Sequence, residues 1–325
     1  MLRIHFTAED LGRVRVLPEP DPMWETVFSI FRLQERGPSL VFHEWRRAVA
    51  LACSPEDLAM LRALVPGGYF PDFLTPSEGQ FGLDAGIEAL LSTPRSRFRA
   101  ELGILAGRHR LPSWTRQLAD GDRETVQRLA DAIRGHFRSA VEPYWQQAQA
   151  HIDADRARRA RAYLDGGTEG LLSSYLPMMR WSSPVLSVDV QQEQDVHLNG
   201  RGLVLVPSFI SMSTPDFLHD SALPQVLVYP VEHSVPVSAA APAPRISLAP
   251  LIGDTRTAVL ESIGEGSSTT ELARRVGVSA ASISQHTAVL RSAGLIRTGR
   301  VGKAVLHTLT PLGDALLKRG LATVA

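Results

Sequence analysis

Hydrophobic positions recur at helical spacing through the first 140 residues. Trp24, Val27, Phe28 and Phe31 fall on one helical face, and Phe42, Trp45 and Val49 on another. Leu58, Leu61 and Val65 continue the pattern after Pro55, and Phe98, Leu102 and Leu105 mark a further helix. A long helix is expected from Asp122, with Val126, Leu129, Ile133 and Phe137 inward and Pro143 bending or breaking it. The period then changes. Residues 185–190, 203–206 and 226–229 read as strands, as do 2–6 and 13–17, and Asn199-Gly200 suits a hairpin turn. This pattern predicts an α+β domain over 1–235, mostly helical, with a small antiparallel sheet.

Between 231 and 249, Pro236, Pro242 and Pro244 alternate with Ala and Ser, so 236–249 is expected to be an extended linker. A second domain, 250–325, follows. Its segment 268–309 has a consistent local logic. Thr270 can cap a short helix, Glu271 to Val276, which ends at Gly277. Ser279 caps a second helix running to about Ala293, closed by Gly294. Leu272, Val276, Val278, Ile283, Val289 and Leu290 supply apolar contacts between the two. A strand from Leu295 to Thr298, a turn over Gly299-Arg300-Val301-Gly302 and a return strand to Leu309 come next. Thr310-Pro311 opens a last helix, with Pro at its first position.

Two helices at this spacing, then a basic hairpin, are expected to read double-stranded DNA. Ser279, Ala280, Ser282, Ser284, Gln285 and His286 occupy the N-terminal part of the second helix, where small and amide side chains suit entry into a major groove. Arg291 lies further along it. Arg297, Arg300 and Lys303 cluster on the hairpin, where they would neutralise phosphates.

Residues 251–320 resemble the ArsR-type (arsenic-repressor-like) winged-helix regulators. The likeness rests on TTELARRVGVSAASISQHTAVLRSAGLI, a Gly-Arg-x-Gly-Lys hairpin and LTPLG. It covers about a fifth of the chain. It implies a symmetric dimer with the second helix in the major groove, and pairing through Thr255 to Ile263 and Pro311 to Leu321. Metal-sensing members carry Cys-x-Cys in the first helix, where this chain has Leu272 to Arg275, so that metal site is not implied. The residues before about 240 more loosely resemble the long N-terminal region of some actinobacterial members.

Composition is that of an ordinary globular protein, with 44% hydrophobic and 21% charged residues. The net charge of +0 conceals an asymmetry. From Arg245 onward there are 10 Lys+Arg against 5 Asp+Glu, so the remainder carries the acidic excess. The single cysteine, Cys53, excludes an internal disulfide. The first residues lack an apolar signal core and no run approaches a membrane span, so a cytoplasmic protein with no membrane partner is expected.

Candidate chemistry in the first domain is sparse, and neither enzyme activity, a cofactor nor a metal site is expected. His43-Glu44-Trp45-Arg46-Arg47 begins like a zinc-protease motif but has Arg47 where the second His would stand. Asp153 to Arg161 reads as a solvated helix face with internal ion pairs in preference to a second basic DNA contact. The crowd of aromatics up to Phe81 reads as core. It also allows a small apolar or aromatic effector walled by Trp24, Phe28, Trp45 and Tyr69, with the loops Pro66–Tyr69 and Thr75–Gly79 at the mouth. The sequence-level expectation is a dimeric transcription regulator, a repressor, controlled through that domain. The alternative is a catalytic N-terminal domain joined to a DNA-binding module.

Overall fold

The computed structural model describes residues 1–35, 41–190, 193–211, 214–218, 225–233, 237, 248–264, 266–301 and 304–321. The chain divides into two compact units, Met1–Ala239 and Ala240–Ala325. No described helix is long and apolar enough to cross a membrane.

The first unit is built round one helix, Pro22–Gln34. Asp21 caps it, its Oδ1 accepting from the Met23 and Trp24 N–H groups at 2.9 and 3.2 Å, and Pro22 takes the first position, where no N–H is needed. Residues 22 to 30 are all buried, so this helix is wrapped rather than amphipathic. Its start is approached very closely. A Cβ on Gly79 would stand 2.6 Å from Asp21 Oδ1, and one on Gly86 would stand 2.5 Å from Met23 Cγ. Helices His43–Ala52, Pro55–Leu64, Leu83–Leu91, Arg95–Arg108 and Arg123–Ala140 make up much of the helical part. Pro143 does interrupt the chain: a 3-10 turn, Glu142–Tyr144, separates Arg123–Ala140 from Trp145–Ser173.

The strands differ from the expected small antiparallel sheet. They form two mixed sheets. One runs Met179–Ser182, Val185–Val188, Leu2–His5, Gln194–His197, with the last pair parallel. The other runs Arg15–Val16, Val204–Ser208, Val226–Pro230, Asp216–Phe217, the first three parallel. Asn199-Gly200 is a tight turn, with φ of 53° and 81°, but it joins strands of different sheets and so closes no hairpin. Period-two patterning locates strands and says nothing of which neighbours they choose.

In the Asp153 to Arg161 stretch the expected internal ion pairs form, and Asp153, Arg158 and Arg161 are exposed, but two members of the stretch depart from a solvated face. Asp155 and Arg159 are buried, not solvated. Arg159 Nη2 lies 2.9 Å from Asp155 Oδ1, the Tyr229 hydroxyl donates to Asp155 Oδ2 at 2.8 Å, and the guanidinium sits 4.1 Å above the Tyr175 ring. The pair ties the helix Trp145–Ser173 to the strand Val226–Pro230.

The second unit has an aliphatic core of Leu248, Val259, Leu260, Ile263, Leu272, Ile283, Leu290, Leu295, Ile296 and Leu317. Helices Ala249–Ile252 and Asp254–Ser262 lead to Thr269–Val276, Ala280–Ser292 and Pro311–Leu321. A three-stranded antiparallel sheet has the order Ile296–Val301, Ala304–Leu309, Ser267–Ser268.

Candidate nucleic-acid interface and interior cavities

Caps fix the two central helices of the second unit. Ser268 caps the first, its Oγ accepting from Glu271 N–H at 3.3 Å. The cap thus falls two residues before Thr270, because Thr269 and Thr270 already form the first helical turn. Gly277, at φ 74°, ends this helix in the left-handed region that a side chain resists. Ser279 caps the second helix, accepting from Ser282 N–H at 3.2 Å, and Gly294, at φ 72°, follows its end. Leu272, Ile283 and Leu290 are buried between the elements, with Val276 and Val278 packed at their edge. Val289, expected among these contacts, is 44% exposed. It sits one position off the buried Ile283–Thr287–Leu290 stripe.

Ser279, Ala280, Gln285 and Arg291 are exposed, as is Ser284, whose hydroxyl returns to the Ala280 carbonyl at 3.0 Å. Ser282 and His286 are partly covered. The hairpin is longer than expected: pairing continues through Gly299↔Leu306, Arg300↔Val305 and Val301↔Ala304, so Gly299 to Val301 are strand rather than turn. Arg297 is exposed, Arg300 lies in the same strand, and Lys303 falls outside the described residues.

His307 is a feature that sequence reasoning missed. It is buried, with Nε2 3.0 Å from Thr269 Oγ1 and Nδ1 3.0 Å from Thr298 Oγ1. Burial lowers its pKa, as does the charge of Arg291, so a neutral ring clips the hairpin to the start of the first helix. The last helix is seated as closely. A Cβ on Gly313 would stand 2.0 Å from the Leu295 carbonyl oxygen.

Among the cavities of the first unit, two share one wall. The first, about 240 Å³, is lined by Leu17, Trp24, Leu218 and the strand residues Val204, Val206 and Val226. Its polar groups are Asp21, Arg15, Arg97 and the segment Thr75–Glu78 with Gln80. The second, about 280 Å³, holds Trp24 and Leu218 again with Tyr69, Phe70, Phe217, Asp72, Asp216 and Arg108. Both are slightly below the roughly 300 Å³ at which ligand pockets usually begin, which limits an occupant to a small molecule. Trp24 and Tyr69 therefore line cavities, and so do parts of both expected mouth loops. Phe28 and Trp45 line neither. Phe28 stacks behind Trp24 at 5.6 Å, and Trp45 is sealed in the core with its Nε1–H donated to Ala140 O at 2.8 Å.

Asp21 lines the first cavity and Asp72 and Asp216 the second, while Glu25 stands one helical turn beyond Asp21. Burial pushes Asp21 up to about 7, against the two N–H groups it accepts. Glu25 is likewise raised by burial to about 7, although it accepts from Phe209 and Ile210 N–H at 2.6 and 2.8 Å. Asp216 reaches about 6 through burial, with Asp72 nearby adding to it. Elsewhere, Cys53 Sγ lies 3.5 Å from His136 Nδ1, and His136 Nε2 lies 2.7 Å from Ser29 Oγ. Ser29 Oγ also donates to Thr26 O, so it accepts from Nε2–H. Burial raises the thiol and lowers the imidazole to about 4, which holds the pair neutral and withholds the thiolate a nucleophile needs. The described residues contain no group of three or more His, Cys, Asp or Glu able to hold a metal.

No protein-family model, no curated protein and no solved structure matches this chain.

Proposed function

We propose that the chain is a sequence-specific DNA-binding transcription regulator, a repressor, whose second unit is a winged helix-turn-helix and whose first unit takes a small ligand. The carrying observation is the helix Ala280–Ser292. It stands between two left-handed glycines and turns the face with Ala280, Ser284 and Gln285 outward, with small side chains at its N-terminal end. A helix presented in this way fits a major groove about 12 Å wide. The exposed Arg291 and Arg297, and Arg300 in the hairpin strand, supply the charge for phosphate contacts. One such helix spans too few base pairs to address a genome, so the reading includes a homodimer on two half-sites. Leu251 and Leu312, 73% and 59% exposed on the flanking helices, suit a pairing surface.

The test is selection of a duplex from a random pool by the full-length protein, followed by fluorescence anisotropy. Gln285→Ala is expected to lose about 1–3 kcal/mol on the selected duplex and little on unrelated DNA. Failure to enrich any sequence would remove the regulator reading. An equal loss on both duplexes would place Gln285 on the phosphate backbone.

A further inference from the structure

We infer that the 240 Å³ cavity beside Trp24 is a binding site for an α-amino acid with an apolar side chain. This deepens the ligand role proposed above and rests on it.

The cavity has two unlike parts. Its wall is apolar: Trp24 on one side, and Val204, Val206 and Val226 from the parallel strands on the other. Burying a hydrocarbon or aromatic body there releases water from both surfaces. Its polar groups carry both signs of charge. Asp21 is almost wholly buried, and both N–H groups it accepts go to Oδ1. Oδ2 has no hydrogen-bond partner and the carboxyl no counter-cation among the described residues. Arg97 gives its Nε–H to Glu101 Oε1 at 2.5 Å, while its buried Nη2 has no partner among the described residues.

A buried donor left unmatched costs stability, as does a carboxyl held beside a cavity with no cation next to it, and such groups persist where something else completes them. Hydrogen bonds between ionised partners are the strong ones. An ammonium group completes Asp21 and a carboxylate completes Arg97. A molecule that offers both beside a hydrocarbon body is an apolar amino acid. An apolar acid alone would leave Asp21 without a counter-cation, and an apolar amine alone would leave Arg97 Nη2 without an acceptor. The small volume favours a ligand about the size of phenylalanine over a larger conjugate.

The test is calorimetric titration of the full-length protein, without DNA, using three probes with one ring: L-phenylalanine, 3-phenylpropionate and 2-phenylethylamine. L-leucine and L-tryptophan vary the body. At least one of the three amino acids should bind, and L-phenylalanine should bind about tenfold or more tighter than its acid or amine counterpart. Asp21→Asn keeps an oxygen for the helix cap, so the fold should survive while affinity drops about tenfold or more. Arg97→Gln should act in the same way, and Val204→Phe should abolish binding by filling the space with no change of charge. Circular dichroism checks that each variant is folded. Equal affinity for the acid or the amine, or no binding by any of the amino acids at millimolar concentration, overturns the inference. A chain that binds amino acid but selects no DNA sinks the regulator reading and leaves the site. One that selects DNA but binds no amino acid does the reverse.

Discussion

The two units solve the same problem with different materials. Every Trp, Tyr and Phe of the chain lies in the first unit, and the second has none. The first also buries charge: Asp10, Asp21, Glu25, Asp72, Glu101, Asp155 and Arg159 are all interior. Among the described residues of the second, the buried polar ones are Thr257, Ser267, Thr287 and His307, each an uncharged hydrogen-bonding group at neutral pH. An aliphatic core under short capped helices needs only local instructions. An aromatic core threaded by carboxylates needs partners far apart in the chain, such as Glu25 with Phe209 and Asp155 with Tyr229. The difference makes the first unit the more vulnerable to single changes at polar positions.

The largest test of that contrast is Arg159→Ala. It takes the buried guanidinium from Asp155, which keeps the half-exposed Arg158 Nη2 at 2.8 Å and the Tyr229 hydroxyl; loss of one partner of a buried pair costs up to about 3–5 kcal/mol. All five Trp residues report on the first unit alone, so urea unfolding followed by Trp emission isolates the effect. A loss below about 1 kcal/mol would mean that Arg158 or water meets the charge of Asp155 unaided.

Gly313→Ala strikes the second unit instead. The added methyl meets the Leu295 carbonyl oxygen, and overpacking of this kind costs about 1–3 kcal/mol. Far-UV circular dichroism should show a lowered transition while the Trp-detected transition stays in place. A Trp-detected shift of similar size would show that the units do not unfold separately.

A smaller effect comes from proton linkage in the first unit. Burial lowers His136 and His233 to about 4, so the unfolded chain takes up protons that the fold refuses, and stability falls as pH drops from about 6.5 towards 4. Asp21 and Glu25 act in the opposite direction. They hold protons up to about 7 in the fold but only to about 4 when unfolded, so stability falls as pH rises through that window. The trends oppose each other. Glu25→Gln removes one acid, and the stability of the first unit should then rise more steeply between pH 4 and 6.5 than in the wild type. Parallel curves would show that Glu25 is ionised throughout.

The smallest expected change is in salt dependence. Each phosphate contact contributes about −0.9 to the slope of log affinity against log salt. Arg297→Ala in both protomers of a dimer should flatten that slope by up to about two, on every duplex alike. An unchanged slope would remove the hairpin from the interface.

The same contrast governed what could be read from sequence. In the second unit, Gly277, Ser279, Gly294 and Pro311 mark their own boundaries, because caps and left-handed turns are local chemistry. The misplaced cap at Ser268 rather than Thr270, and the exposed Val289, are slips of one or two positions. In the first unit, helices were legible from their spacing, but the two mixed sheets were not, since parallel pairing joins strands distant in sequence. The i, i+4 spacing of Asp155 and Arg159 was visible, whereas their burial depends on Tyr175 and Tyr229. Asp21-Pro22 reads plainly as a helix start. Nothing local says that its carboxyl also lines a cavity, or that Trp24 and Tyr69 do so while Phe28 and Trp45 do not.

The close approach of Gly79 and Gly86 to the start of the central helix has a genetic reading. Gly86→Ala collides with the flexible Met23, so shortening Met23 should act as a suppressor. Gly79→Ala collides with Asp21, and only a shorter residue that still caps the helix can relieve it. Asp21→Ser meets both needs. Its revertants would recover the fold yet lack the carboxylate in the cavity, so a simple screen for restored expression would deliver alleles in which folding and ligand recognition have come apart.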